Sequence, residues 1–169
     1  MIMSKSKSLT HVDDLGQARM IDVSAKAVTR RQAEAEGQIR MAEATLEAVR
    51  ANNVRKGDVL AVARLAAVGG AKRTADLIPL CHPLMLDGID VSVETKPELP
   101  GIRLSVVVTT EGRTGVEMEA LCGVSAGLLA VYDMCKAMDR EMEIGPVRLV
   151  RKTGGARGEW HRTDSTDQP

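Results

Sequence analysis

The scarcity of large aromatic side chains is the feature that most constrains how this chain can fold. Among its 169 residues there is no Phe, and Tyr132 and Trp160 are the only large aromatic residues. Aromatic side chains usually contribute much of the buried area of a core, so here small and branched aliphatic side chains must replace them. A lightly filled subunit gains apolar burial by associating with copies of itself. The composition therefore favours a homo-oligomer.

Charge and composition exclude several classes of function. The 23 Lys and Arg residues balance 23 Asp and Glu residues, so the chain lacks the basic surface expected of a protein that binds nucleic acid or a membrane surface. Few aromatics also means no stacking platform for single-stranded nucleic acid. We expect no nucleic-acid partner, and any anion-binding site must be local.

Cysteine usage and apolar runs indicate the compartment. Cys81, Cys122 and Cys135 are an odd number of cysteines without CxxC spacing, which predicts neither a disulfide framework nor a structural zinc site. No apolar run approaches the length of about 18 residues that suggests a membrane span, and no apolar segment follows the basic N-terminus. We therefore expect a cytoplasmic protein with no membrane association.

The length fits one domain of ordinary size. Residues 1–10 are rich in Ser and Lys, and the C-terminal HRTDSTDQP is polar throughout. Such ends carry few core-forming side chains. We predict a single domain at residues 11–158, between flexible tails at residues 1–10 and 159–169.

The first half of the chain predicts one strand and then helices. Strict alternation of small or apolar with polar residues from Ala33 to Met41 predicts a strand, and residues 42–52 have helical spacing. Asp58 is placed to cap a helix formed by VLAVARLAAV, which we expect Gly69-Gly70 to end. A short helical piece in AKRTADL follows.

The second half predicts a hairpin, a long helix and a last strand. GIDVSVETK and GIRLSVVVTTEG are rich in β-branched residues and are separated by prolines and a glycine. Val116 to Met138 contains no proline and predicts one long helix whose small residues permit close helix packing, and GPVRLVRKT predicts a strand. This order indicates an α+β fold, a ferredoxin-like two-layer sandwich with helices on one face of a mainly antiparallel sheet.

The segment DLIPLCHPLML contains the most unusual candidate site residues. Pro79 and Pro83 enclose Cys81 and His82 in an otherwise apolar run, which excludes regular helix there. A rigid, half-buried His82 suits a hydrogen bond to a phosphate or a heterocycle, or proton transfer. The alternative is a core histidine whose ring bonds only to a backbone carbonyl.

Two groups of charged residues lie on the predicted long helix. Glu117 and Glu119 are near its start, where one can face a site while the other stabilises the helix N-terminus. Asp133 and Lys136 share a face further along, as either a proton-transfer pair or a surface ion pair.

Other cations and histidines carry weaker signals. The cations are scattered, and Lys152 and Arg157 flank a Gly-Gly whose backbone could approach an anion closely. GGARG lacks the context of a nucleotide-binding P-loop, and the histidines have no metal-binding spacing. We therefore predict no dedicated metal site. The other cations noted are Lys56, Lys72 and Arg73.

Several long stretches occur in order between Leu9 and Gly158: LTHVDDLGQARMIDVSAK, KGDVLAVARLAAVGGAKRTADLIPLCHPLML, GVEMEAL, VYDMCKAM and IGPVRLVRKTGG. Together they resemble the family of cyclic pyranopterin monophosphate synthases, which act in the first stage of molybdenum cofactor biosynthesis. The resemblance implies a homohexamer, built as a trimer of dimers, with active sites at a subunit interface.

The resemblance also implies a reaction and its residues. The family are lyases that convert 3′,8-cyclo-7,8-dihydro-GTP, supplied by a partner radical enzyme, into cyclic pyranopterin monophosphate and diphosphate. Asp133, Lys136 and Lys56 would be catalytic. Leu80, Cys81, His82, Met118 and Glu119 would contact the substrate, and Glu117, Lys152, Arg31 and Arg73 would complete the binding pocket.

The implied chemistry leads to three further expectations. A lysine moves protons near neutral pH only if its pKa falls from roughly 10.4, so we predict that Lys56 and Lys136 each lower the pKa of the other, while Asp133 orients one of them. Lys152, His82 and Arg73 would stabilise the leaving diphosphate. No cofactor is expected to be required, although Mg²⁺ can assist with a triphosphate.

Two features differ from the family pattern, and two other functions are possible alternatives. Gly69-Gly70 stands where bulkier residues are expected, and GGARG carries Arg157 where a second lysine is expected. The alternatives are a non-catalytic, nucleotide-binding assembly protein and a metal-dependent hydrolase that uses Cys81 and His82. The hydrolase would also need a PCxxC partner motif, which the chain lacks.

Overall fold

The structure is a computed structural model that describes residues 17–156 and 158–163. Its strands form one sheet with the order β2-β3-β1-β4-β5. Along the chain the elements are β1 (Thr29–Arg40), α1 (Glu43–Arg50), α2 (Val59–Lys72), α3 (Thr74–Leu77), β2 (Gly88–Lys96), β3 (Gly101–Gly112), α4 (Glu117–Cys135), β4 (Glu143–Thr153) and β5 (Trp160–His161).

The topology is ferredoxin-like, as predicted. The main elements β1, α2, β2, β3, α4 and β4 follow a β-α-β-β-α-β order. All neighbouring strands are antiparallel, and the long helices α2 and α4 pack on one side of the sheet. The prediction of an α+β two-layer sandwich is confirmed.

The alternation in β1 separates the core from the outer face of the sheet. Ala33, Ala35 and Ile39 are at most 1% exposed, and they pair with Val108, Val106 and Ile102 of β3. The polar residues between them are only partly buried. The period of two therefore determined this element, although several of its residues favour helix.

Small residues replace aromatic bulk between the two long helices. Ala63, Ala67 and Ala71 of α2 are fully buried. A β-carbon on Gly123 of α4 would lie 3.1 Å from the Ala67 carbonyl oxygen, and one on Gly127 would lie 3.1 Å from the Ala63 carbonyl oxygen. The helices therefore pack backbone against backbone, and the N-terminus of α2 lies near the C-terminus of α4.

The boundaries of α2 confirm one prediction and correct another. Asp58 caps the helix by accepting a hydrogen bond from the Ala61 amide at 2.9 Å. The prediction that Gly69-Gly70 ends the helix is wrong, because α2 continues to Lys72. A β-carbon on Gly70 would lie 2.5 Å from Ala126 Cβ and 2.8 Å from the Cys122 carbonyl oxygen. Gly70 is thus a packing residue of α2 and does not end it.

The C-terminal segment also differs from the prediction. Residues 160–161, within the predicted tail, form β5 and pair with β4. The Arg162 amide donates a hydrogen bond to the Val150 carbonyl oxygen at 2.8 Å. The free edge of β4 offers backbone hydrogen-bonding groups to residues 160–162. The polar composition of this segment does not predict that pairing. The predicted tail at residues 1–10 lies outside the described residues.

Within the described part of the chain, α4 is the one helix long and apolar enough to cross a membrane. Half of its apolar window is buried inside the protein. Val124, Leu128 and Val131 are fully buried in the core, so α4 is the core helix of the fold.

Two adjacent glycines provide a matched test of the helix contact. We expect Gly70→Ala to lower the free energy of unfolding by about 1–3 kcal/mol, because its methyl group overpacks the contact. Gly69→Ala should raise it by about 0.5–1 kcal/mol, because nothing lies within 4 Å of the added carbon and alanine favours helix. Urea unfolding at one protein concentration measures both, and equal effects would contradict this packing.

Candidate active site

A cavity of about 680 Å³, here called the main cavity, opens at the N-terminal end of α4. Its walls come from the segment before β1, β1 itself, the loop between α3 and β2, the turn into α4, and the end of β4. Of the predicted substrate-binding residues, all but Arg73 line it: Arg31, Leu80, Cys81, His82, Glu117, Met118, Glu119 and Lys152. Residues distant in sequence therefore meet at one place.

The loop that carries His82 is anchored at its C-terminal end, just before β2. Thr110 Oγ1 donates a hydrogen bond to the Met85 carbonyl oxygen at 2.6 Å, and Asp87 Oδ2 accepts one from the Glu111 amide at 2.6 Å. His82 Nε2 lies 2.9 Å from the Ile21 carbonyl oxygen. His82 therefore has the backbone partner of a core histidine and also faces a cavity.

Cations and acids alternate on the cavity wall. Lys152 Nζ donates to Glu117 Oε1 at 2.7 Å, and the two side chains are about one third exposed. Arg31 Nε donates to the Gly112 carbonyl oxygen at 2.9 Å. These contacts hold the cations in place and leave further donors on each for an anion.

The Gly-Gly after β4 packs closely against β1 and also lines the main cavity. Gly154 and Gly155 have φ values of +91° and +74°, and β-carbons there would collide with the Arg30 carbonyl oxygen and the Arg31 guanidinium. These glycines therefore let the backbone pack closely against β1, and their close approach to an anion stays a prediction. Arg157 lies outside the described residues.

Glu119 is the most deeply buried acid of the main cavity, with 4% of its surface exposed. Burial raises the pKa of its carboxyl above the usual value; its own backbone amide opposes this effect, and the nearby Glu117 adds to it. The neutral form is thereby favoured, and a neutral carboxyl can donate a hydrogen bond as well as accept one.

The surroundings of Cys81 disfavour its thiolate form. Burial raises its pKa, and the nearby Glu119 and Cys122 raise it further. Thiolates, not thiols, are nucleophiles and metal ligands. Among residues 17–156 and 158–163, no three His, Cys, Asp or Glu side chains are grouped to hold a metal ion. The site therefore offers no support for the hydrolase alternative.

Arg73 lines a second, smaller cavity of about 130 Å³. This cavity shares His82, Leu84 and Glu119 with the main cavity. Arg73 is thus beside the main cavity, on the far side of the His82 loop.

The predicted catalytic residues form a compact cluster. Lys56 Nζ lies 2.8 Å from Asp133 Oδ2, and Lys136 Nζ lies 2.7 Å from Asp133 Oδ1. Hydrogen bonds from Lys136 and then Lys56 lower the pKa of Asp133 to about 2. We refer to these three residues as the Lys-Asp-Lys cluster.

The predicted effect on the lysines is wrong for Lys136. Its pKa is raised, mainly by the hydrogen bond to Asp133 and then by the charge of that carboxylate. All three side chains are about half exposed, so burial does little to oppose this attraction. In the single chain, Lys136 is therefore held as an ammonium ion.

The site predicted as one pocket is divided between two places. Glu119 is near the start of α4 and Asp133 near its end, which at 1.5 Å per residue separates them by about 21 Å of helix axis. One chain therefore presents the main cavity and the Lys-Asp-Lys cluster at opposite ends of the helix layer.

Sequence reasoning missed the wall formed before β1. Ile21, Val23 and Lys26 line the main cavity, as does Arg113, whose Nε donates to the Lys26 carbonyl oxygen at 3.2 Å. The one available signal was that this segment lies within the first family-like stretch. Its composition gave no indication that it returns to His82.

The fold and cavity define a ferredoxin-like α+β protein whose main cavity is lined by both charged and apolar side chains. Residues 20–155 match the MoaC family, and the chain belongs to that family.

Named relatives agree with this assignment. The chain is 52% identical, over 94% of its length and 96% of the relative, to a protein of Brucella ovis called cyclic pyranopterin monophosphate synthase. A protein of that name from Nostoc sp. is 55% identical, over 92% of this chain and 92% of the relative. Another, from Pelotomaculum thermopropionicum, is 54% identical, over 91% of each chain.

Removing the titration of Glu119 should change the pH dependence of stability. Because its pKa is raised on folding, wild-type stability falls as pH rises from about the usual value of 4.5 through the folded value. We expect Glu119→Gln to abolish this loss, so that its stability relative to wild type increases with pH.

Urea unfolding between about pH 4 and pH 8 measures this difference. Glu43→Gln, at an exposed position in the first turn of α1, is the control and should follow the wild-type curve. A Glu119→Gln difference that stays constant across this range would contradict the buried, proton-binding carboxyl.

Proposed function

We propose that the protein converts 3′,8-cyclo-7,8-dihydro-GTP into cyclic pyranopterin monophosphate and diphosphate, in the first stage of molybdenum cofactor biosynthesis. The observation that carries this proposal is the 52–55% identity to synthases of that name over more than nine-tenths of the chain. A radical enzyme would supply the substrate, and the reaction would take place in the cytoplasm.

The composition of the main cavity supports binding of such a substrate. Arg31 and Lys152 offer charged donors for phosphate oxygens. The Glu117 carboxylate, already bonded to Lys152, can accept hydrogen bonds from the N–H groups of a guanine-like edge. Glu119 in its neutral form can bond to a ring carbonyl or nitrogen without adding negative charge near the phosphates.

The chemistry divides between the two groups of residues. Opening and closing the rings requires proton transfer, for which neutral Glu119 and the Lys-Asp-Lys cluster offer acids. In cyclic phosphate formation, a substrate hydroxyl oxygen bonds to the α-phosphorus as the bond to the bridging oxygen breaks. Diphosphate leaves with that electron pair, the hydroxyl proton passes to a base, and Lys152 and Arg73 stabilise the developing charge.

A homo-oligomer would unite the two groups. The reacting atoms of one substrate cannot touch both ends of α4 in a single chain, since about 21 Å separates them. The exposed apolar side chains Val62, Leu65 and Leu129, exposed by 37%, 73% and 60%, lie on α2 and α4 and support association. We propose a hexamer, a trimer of dimers, in which the main cavity of one copy meets the Lys-Asp-Lys cluster of another.

We propose that no cofactor is required and that Mg²⁺ acts with the triphosphate of the substrate. The cations of the main cavity already provide charge for phosphate oxygens. Mg²⁺ usually binds through substrate phosphates and a few carboxylates and waters. Activity that persists after thorough chelation would make the metal dispensable.

The direct test is turnover by the purified protein. With 3′,8-cyclo-7,8-dihydro-GTP, we expect cyclic pyranopterin monophosphate and diphosphate to appear together, and Lys56→Ala and Lys136→Ala each to reduce the rate by about 100-fold or more. Lys96→Ala is the matched control, because Lys96 pairs with Glu94 on β2. Tight substrate binding without product would favour the non-catalytic assembly protein.

A mixing experiment tests the shared site. We expect Glu119→Ala and Lys136→Ala to be inactive alone and to regain activity when their subunits exchange, since about a quarter of the sites in a random mixture would combine an intact cavity with an intact cluster. Wild type mixed with an equal amount of the double variant is the control, and its activity should fall to about half, because only about half of the wild-type cavities then meet a wild-type cluster. No recovery in demonstrably mixed oligomers would contradict a site formed by two copies.

A further inference from the structure

The ring of His82 is held through one of its two nitrogens. Nε2 lies 2.9 Å from the Ile21 carbonyl oxygen, and a carbonyl oxygen can only accept a hydrogen bond. Nε2 must therefore carry the proton. A neutral imidazole has one N–H, so Nδ1 is left unprotonated as an acceptor.

Nδ1 is the ring nitrogen that remains available to a ligand. Within the described residues, the Nε2 contact is the one hydrogen bond made by the His82 side chain. The residue lines the main cavity beside Cys81 and Glu119. A ligand in that cavity would meet an acceptor at this position.

The Ile21 carbonyl is itself held by a structured turn. Asp22 Oδ1 accepts a hydrogen bond from the Ser24 amide at 2.8 Å, and the Lys26 amide donates to the Val23 carbonyl oxygen at 3.0 Å. Arg113 then ties Lys26 to the scaffold through a 3.2 Å bond. The turn that follows Ile21 is therefore held internally and tied to Arg113, which restrains the chain next to this carbonyl.

We propose that the Ile21 carbonyl is a positioning group that selects the Nε2–H tautomer of His82. Nδ1 of His82 then accepts a hydrogen bond from an N–H or O–H group of the substrate. The identity of that substrate rests on the proposed function, whereas the tautomer does not. In its neutral form His82 thus orients a donor group of the substrate and does not donate to a phosphate.

Ring ¹⁵N spectra read the tautomer directly. In the full-length protein labelled at histidine, at about pH 8.5 where an ordinary imidazole is neutral, we expect His82 to show a protonated Nε2 and an unprotonated Nδ1. His82→Gln assigns the signal. A protonated Nδ1, or an even mixture of tautomers, would overturn the proposal.

The turn provides a matched pair of variants. Asp22 is exposed, and Asp22→Ala removes the acceptor of the Ser24 amide, so the Nδ1–H population of His82 should rise. Asp22→Asn keeps an acceptor oxygen there and should leave the spectrum unchanged. Identical spectra for wild type and Asp22→Ala would show that this turn does not position the carbonyl, and would overturn that part of the proposal.

Kinetics test the use of Nδ1 by the substrate. Asn places its amide near the Nδ1 position and Gln places its amide near the Nε2 position, so His82→Asn should retain activity within about tenfold of wild type while His82→Gln loses about 100-fold or more. Equal losses, or the reverse order, would overturn the assignment. If wild type itself forms no product, the proposed function fails, and the ring spectrum still decides the tautomer.

Discussion

The backbone contact between α2 and α4 is the constraint on which the rest of the structure depends. Alanines at every fourth position of α2 are buried against glycines of α4, and any larger side chain would separate the two helices. A chain without Phe fills its helix layer by bringing backbones together. This contact fixes α4 over the sheet, and the ends of α4 determine where the functional groups lie.

Because α4 is closely packed against α2 and the sheet, it sets a distance as well as a position. Its first turn places Glu117 and Glu119 at the main cavity, and its last turn places Asp133 beside Lys56. The loop into α2 completes the cluster because α2 runs antiparallel to α4. The same contact that stabilises the fold therefore keeps the acid and the lysines apart within one chain.

The sequence predicted the elements and the topology well because their patterns are local. Alternation identified β1 and the hairpin, and Asp58 marked the start of α2. The prediction for Gly69-Gly70 was wrong because the sequence alone does not distinguish a glycine that ends a helix from one that packs against a second helix. The Ile21 contact to His82 was invisible for a similar reason, since it joins residues 61 positions apart through a main-chain oxygen. Family resemblance predicted the site residues, but it did not predict that they form two groups at opposite ends of α4.

The electrostatics of the Lys-Asp-Lys cluster link assembly to chemistry. In the isolated chain, a half-exposed Asp133 attracts both ammonium groups and raises the pKa of Lys136, which opposes its use as a base. Burial disfavours charge on a lysine, so a second copy that covers the cluster would act in the opposite direction. With both lysines and Asp133 ionised, the cluster carries a net positive charge, which would attract a negatively charged substrate. In the proposed hexamer the lysines would therefore gain their reactivity from a neighbouring subunit, and a monomer would keep the fold and the main cavity without the proton chemistry.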